Sequence, residues 1–263
     1  MSLTGKSPSE TYKDIAYVDN SNNGVTTSLK QVKTGNGGST ALQVSDRALQ
    51  VKSATNNTTA LDVQNASGAS KLLVDTTNDY VKANGVHVNT MYKQFMAFDL
   101  SPTAGIHYPM ASAEAGIPHA SGDATLTPLG VFGSSADPAT TFDVSGHASY
   151  PNQASLAYWY IMDNMYIDSI RVIATAAGNV DINFHVMSYD LDTSSNHGDL
   201  SNGTLLAHIG SSLAATSSTM KTDTLTIDSA SVTAGKIILA FIENETDTSD
   251  VTAQLNIKYH ITG

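Results

Sequence analysis

The chain has 263 residues, of which only 14% are charged; its formal net charge is −11 and it contains no cysteine. A chain this acidic, with 13 dispersed Lys and Arg, has no positive field to hold a nucleic-acid backbone. Lacking cysteine, it can have no disulfide, thiolate nucleophile or Cys-ligated metal. The opening Met1-Ser2-Leu3-Thr4-Gly5-Lys6 lacks the apolar run of an export signal, and no stretch reaches the roughly 18 apolar residues of a membrane helix, so membrane insertion is not expected.

Residues 1–38 are expected to form an extended arm. Ser7-Pro8-Ser9-Glu10 has the form of a helix start, with a capping Ser, Pro at the first position and Glu at the third. Asp19-Asn20-Ser21-Asn22-Asn23-Gly24 and Asn36-Gly37-Gly38 are turn signals, and Val25–Lys33 between them reads as a strand.

Residues 39–90 repeat a short β text. The tetrad x-Leu-x-Val occurs as Ala41-Leu42-Gln43-Val44, Ala48-Leu49-Gln50-Val51, Ala60-Leu61-Asp62-Val63 and Lys71-Leu72-Leu73-Val74. Polar connectors separate the tetrads: Ser45-Asp46-Arg47, Ser53-Ala54-Thr55-Asn56-Asn57 and Asn65-Ala66-Ser67-Gly68. Strand side chains alternate between faces, so each tetrad presents two aliphatic side chains on one side. The leucine spacing is irregular and suits hairpins better than a solenoid. Faces this thin cannot close a core within one chain. Three chains around one axis would give them a common interior, so a narrow β stem and a homotrimer are expected. The expected oligomerisation residues are Leu42, Val44, Leu49, Val51, Leu61, Val63, Leu72 and Val74.

From residue 91 methionines, aromatics and prolines appear together, as a globular core requires. Strands are expected over 94–100, 157–162, 166–174, 180–189, 205–209, 222–227, 236–243 and 251–261. Val180–Val186 and Leu255–Ile261 alternate apolar and polar residues, the pattern of a strand with one buried face. Ile237–Ile242 has the length of a buried strand. Turns are expected at 177–179, 199–203 and 233–235, and long loops across 101–156. This pattern predicts an all-β protein whose residues 91–263 form an antiparallel, jelly-roll-like β-sandwich.

Motifs for chemistry are sparse. No Gly-x-Ser-x-Gly elbow accompanies the abundant Ser, His and Asp, and Glu243 and Glu245 read as a solvated acidic turn. Asp190-Leu191-Asp192-Thr193-Ser194 offers alternating oxygens like the start of a calcium loop. The positions that would need Gly and Glu are Ser195 and Ser201, however, which rules out an EF-hand. Asp190 and Asp192 remain candidates for a simple loop cation site, against a plain polar hairpin. The eight histidines, at 87, 107, 119, 147, 185, 197, 208 and 260, show no metal-ligand spacing. His87 could meet its symmetry mates on a trimer axis, although a packed or surface histidine is the default. Tyr158-Trp159-Tyr160 contains the one tryptophan. Its rings could stack on sugars, with Tyr158 and Tyr160 on one strand face and Trp159 on the other; core packing is the alternative. No cofactor is expected.

Two stretches carry a resemblance. The opening Leu3–Gly24 (LTGKSPSETYKDIAYVDNSNNG) is similar to the openings of fibre and other virion proteins of bacteriophages. The Ala-Leu-x-Val run ending in Leu72-Leu73-Val74-Asp75-Thr76-Thr77-Asn78 is similar to the β stems of trimeric phage appendages. Together they cover about the first third of the chain, which looks like a virion structural protein of a tailed bacteriophage. The resemblance implies a non-enzymatic homotrimer located in the virion, in contact with other phage virion proteins. Residues 1–38 would anchor it, 39–90 would form the intertwined stem, and 91–263 would be sandwich heads that could meet host surface glycans. The alternative within the same resemblance is a capsid decoration, or cement, protein. No site motif of the family is present, so no binding residue is carried over.

Overall fold

The computed structural model describes residues 16–21, 23–112, 132–143, 156–192 and 198–262. The expected helix start at Ser7 lies outside the described residues, as do His119, His147 and His197. The chain forms two compact units, Met1–Val88 and Asn89–Gly263.

The first unit consists of two four-stranded antiparallel sheets. One contains β1 (Ala16–Val18), β2 (Lys30–Thr34), β3 (Ser39–Val44) and β4 (Leu49–Val51), in that order. The other contains β5 (Leu61–Gln64), β6 (Ser70–Asp75), β7 (Tyr80–Ala83) and β8 (Val86–His87), again in order. Two of the polar connectors, 45–47 and 65–68, close hairpins, whereas 53–57 passes from β4 of one sheet to β5 of the other. Ser45 Oγ accepts from the Arg47 and Ala48 amides at 3.2 and 2.9 Å. Asn65 Oδ1 accepts from the Ser67 and Ala69 amides at 3.1 and 2.9 Å, the local side-chain closure that favours Ser and Asn in turns. Asn84-Gly85, with φ of 49° and 81°, makes the two-residue turn between paired Ala83 and Val86, where left-handed φ at both positions selects Asn-Gly. The strand expected over 25–33 runs instead over Lys30–Thr34. With β1 it hydrogen-bonds into the same sheet as β3 and β4, so the described part of residues 1–38 contributes two strands to a sheet. The ladder at Lys33↔Ser39 satisfies backbone groups that an isolated arm would leave to water.

The second unit is an antiparallel β-sandwich. Its strands are β9 (Thr90–Leu100), β10 (Tyr108–Pro109), β11 (Ala111–Ser112), β12 (Trp159–Tyr160), β13 (Met165–Ala176), β14 (Val180–Leu191), β15 (Leu200–His208), β16 (Leu213–Ala215), β17 (Lys221–Thr224), β18 (Thr226–Ile227), β19 (Ser231–Val232), β20 (Lys236–Asn244) and β21 (Val251–Ile261). One sheet runs β11-β9-β21-β13-β17; the other runs β10-β20-β14-β15-β18. The chain crosses between the sheets repeatedly, among other places between β13 and β14 and between β20 and β21. The late strands β20 and β21 return between early ones: β21 between β9 and β13, β20 between β10 and β14. Two facing four-strand orders of this interleaved kind, β9-β21-β13-β17 and β10-β20-β14-β15, constitute a jelly roll.

The period of two partitions the core. Along β20, Ile238, Ala240 and Ile242 point between the sheets, where Phe95, Ile170, Phe184 and Leu255 meet them. Ile237, Leu239 and Phe241 point outward, yet they too are buried, beneath Phe132, Phe142 and Ala157. The run Ile237–Ile242 is continuously apolar because both of its faces are covered. The segment 132–143 thus supplies a second core on the outside of one sheet, where the sequence suggested surface loop.

Of residues 199–203, expected to be a turn, 200–203 belong to β15. Their Asn-Gly chemistry serves irregular strand pairing instead: the β14–β15 register shifts twice, and Asn202 has φ of 51°. Gly203 is needed for close approach, since a Cβ there would lie 2.7 Å from both Thr140 Cα and Tyr189 Cε1. We predict that Gly203→Ala lowers unfolding free energy by ~1–3 kcal/mol through overpacking, read from the urea midpoint. Unchanged stability would contradict the seating of 132–143 on this strand.

Candidate functional site

The most unusual feature of the first unit is what it leaves uncovered. Cross-strand partners share a face, and the register pairs Leu42 with Val51, Val44 with Leu49, Leu61 with Val74 and Val63 with Leu72. Each sheet therefore carries an aliphatic row on one side. Among the described residues, no apolar side chain before Phe95 is buried. Leu49 is 69% exposed, and Val51, Leu61, Val63, Leu72, Val86 and Val88 are also exposed. Leu42, Val44 and Val74 are half-buried. His87 is half-buried on β8, its ring edge-to-face with Tyr80 at 5.0 Å.

The second unit holds a polar cluster on the outer face of the β10-β20-β14-β15 sheet. Asn183, His185, Met187 and Tyr189 alternate outward from β14, opposite Glu243, Phe241, Leu239 and Ile237 of β20. The apolar end of this face forms the second core; the polar end carries Asn183, His185 and Glu243. Above it lies His107, fully buried, whose ring stands edge-on to His185 at 5.0 Å between centroids. His107 Nε2 bonds the Ser135 carbonyl at 2.8 Å, which places the proton on Nε2, while Nδ1 lies 3.8 Å from Glu243 Oε2. Asn183 Nδ2 donates to Glu243 at 3.1 Å and to Glu245 at 2.6 Å. His185 Nε2 lies 3.8 Å from Asp137 Oδ1. Beside it on β15, His208 Nδ1 bonds Asp228 Oδ2 at 2.7 Å. Neither Nδ1 of His107 nor Nδ1 of His185 has a hydrogen-bond partner. Burial, and then the neighbouring His107, press the His185 pKa down to about 4, so its imidazole is neutral at pH 7. Glu243, expected in a solvated turn, is 6% exposed, because segment 132–143 and the His107 loop roof it.

The aromatic triplet is divided among three environments. The Tyr158 hydroxyl donates to the Gly198 carbonyl at 2.7 Å and its ring packs against the second core. Trp159 packs against the main core, with Tyr259 edge-on at 5.0 Å. Tyr160 is exposed. Trp159, Tyr160, Met91, Met162, Asp163 and Tyr259 line a cleft of about 170 Å³. At the candidate cation loop, Lys236 ion-pairs one Asp190 oxygen and Asn202 Nδ2 donates to the other at 2.8 Å. Both oxygens are committed within the sheet. The Lys236 and Asn202 hydrogen bonds hold the Asp190 pKa below the usual carboxylate range. The Asp192 amide donates to the Asp199 carbonyl at 2.9 Å, and residues 193–197 lie outside the described residues.

The histidine–glutamate cluster was not readable from sequence. Its members are far apart in the chain, and only sheet register assembles them. The alternation over Val180–Val186 does place His185 outward, but no local text indicates that a roof covers it.

Fold and faces together define an all-β protein, a jelly-roll sandwich preceded by two small sheets with uncovered aliphatic rows. No family model matches the chain, and no curated protein does. Among solved structures it is similar to a chain in "Structure of infectious bursal disease virus Gx strain", at 10% identity and a TM-score of 0.28. That match covers 73% of this chain and 43% of the viral one. The chain therefore spans less than half the length of that protein, and superposition at this level identifies neither fold nor role.

Proposed function

We propose that this chain is a non-enzymatic structural protein of a virus particle, of the tailed-bacteriophage kind, working as a homotrimer. Residues 1–38 would attach it to other virion proteins. The two small sheets would pack their aliphatic rows together as a stem, and the jelly rolls would be displayed as heads able to touch host surface glycans. The observation that carries the oligomer is the first unit itself, which folds its strands yet, among the described residues, buries no apolar side chain within the chain. Small sheets are not independently stable without a covered apolar face. The likeness of Leu3–Gly24 and of the Ala-Leu-x-Val run to phage virion proteins supports the location. On the heads, Tyr160 and the Trp159–Tyr259 cleft offer the exposed aromatic surface that sugar rings stack on.

The short stem favours a second reading, a capsid decoration protein. Its strands, three to six residues apart from the two-residue β8, are only ~10–20 Å long, which gives little reach from a particle. Analytical ultracentrifugation tests the shared premise: we expect a trimer with no folded monomer at micromolar concentration, and a stable monomer would refute it. Particles lacking the protein separate the two roles. Loss of host adsorption with sturdy heads marks a fibre; fragile filled heads mark a decoration protein.

A further inference from the structure

The two sheets of the jelly roll have unequal outer faces. That of β10-β20-β14-β15 is roofed by the chain's own residues 132–143. That of β9, β21, β13 and β17 has no such second core among the described residues. Its middle is built from cross-strand neighbours Gln94↔Asn256, Met96↔Gln254, Arg171↔Asn256 and Ile173↔Gln254. Tyr92, on the same face, is 70% exposed.

We infer that this bare outer face is a subunit interface, buried against neighbouring copies of the same chain. The inference rests on the homotrimer proposed above and extends it from the stem to the heads. Three observations favour a second copy as occupant. First, no carboxylate lies among the central residues of this face, which carries Arg171 and Lys258 beside Tyr92, so in a chain of net charge −11 it attracts the acidic surface of another copy. Second, the amides there are already partnered in the plane of the sheet: Asn256 Oδ1 accepts from Gln94 Nε2 at 3.2 Å and from Gln254 Nε2 at 3.0 Å. A partner can therefore cover them without stranding every polar group. Third, β9 begins at Thr90, two residues past the end of the first unit at Val88, so copies joined through the first unit are tethered at the first strand of this sheet. With strands ~4.8 Å apart rising ~3.3 Å per residue, three strands of eleven or twelve residues and the four-residue β17 cover roughly 600 Å². That is about three quarters of the ~800 Å² per partner in a standard interface.

The absence of cysteine makes the test clean. Tyr92→Cys and Met220→Cys place single thiols at residues 70% and 73% exposed in the isolated chain, the second in the β16–β17 connection. In the assembled full-length protein, Tyr92→Cys should react with a maleimide roughly tenfold more slowly than Met220→Cys, because a covered thiol is inert. The two rates should converge in urea. Ile173→Cys is a second probe of the face, and Trp159 fluorescence checks that each variant is folded. Equal rates at residues 92 and 220, in an oligomer where a Leu49→Cys thiol is protected, would overturn the inference and leave the trimer standing. Equal rates at all these sites in a chain that sediments as a monomer would overturn both.

Discussion

Replacing Leu49 and Leu72 with aspartate is expected to convert the proposed oligomer into monomers while the jelly roll stays folded. Leu49 lies in β4 opposite Val44, and Leu72 lies in β6 opposite Val63. Each substitution puts a charge in the middle of one aliphatic row. Full burial of one aliphatic side chain is worth ~1.5–3 kcal/mol, so the eight tetrad side chains together represent on the order of 10 kcal/mol per copy. Leu42, Val44 and Val74 are already half-buried in the chain, so the proposed partner would contribute the part that the exposed side chains still lack. The aspartates remove two of these contributions and bring like charges together around the axis, in a chain already at −11. The head should be indifferent, because its cores are built from Phe95 onward. Sedimentation should move to the monomer position, while the emission of Trp159, packed among residues of the second unit, stays unchanged. A double variant that still sediments as a trimer would show that the rows are not the contact. A variant that loses Trp159 packing as well would show that the head depends on assembly.

Where a strand has one covered face, the residues state it. Val180-Asp181-Ile182-Asn183-Phe184 alternates because β14 has the main core on one side and polar company on the other at that end. The same holds for Leu255–Ile261 in β21. The tetrad strands were readable for a related reason: two aliphatics per strand, with Ser45 and Asn65 closing the turn within each sheet, specify a hairpin with one apolar side.

Partners distant in the chain are a different matter. Glu243 looks solvated from its neighbours Asn244, Glu245, Thr246 and Asp247. It is buried because His107 and residues 132–143, about a hundred positions earlier, fold over β20. Segment 132–143 has no strand periodicity; it is held by tertiary contacts such as the Phe132–Phe142 stack at 5.0 Å and the Tyr189 hydroxyl on the Ala139 carbonyl at 2.9 Å. Residues 199–203 show a further limit. Asn and Gly relieve steric restriction wherever the backbone departs from ideal strand, so the same letters that mark a turn also mark a bulge.

That roof leads to the second large effect, a loss of stability in mild acid traceable to His185. The groups around His185 are His107 from the loop before β10, Asp137 from the roof, His208 on β15, Asp228 beyond β18 and Glu243 on β20. Burial and His107 disfavour its charged form more than Asp137 and Asp228 favour it, which is why its pKa falls to about 4. In the unfolded chain the group returns to about 6.5. Between these values the unfolded state binds more protons, so stability falls as pH falls. The contribution is fully present above pH 6.5, declines through pH 5 and is exhausted near pH 4. At ~1.4 kcal/mol per unit, the depression is worth about 3 kcal/mol. The charge would arrive beneath the roof next to His107, so residues 132–143 should loosen first. His185→Leu keeps the site buried and removes the titration. Urea midpoints of the full-length protein, measured from pH 7.5 to 4, should fall more steeply for the native chain, with the difference accumulating to about 3 kcal/mol. Amide exchange in 132–143 should quicken over the same range only when His185 is present. Parallel pH profiles for the two proteins would mean that His185 takes up its proton without disturbing the roof, and that acid acts through the carboxylates instead.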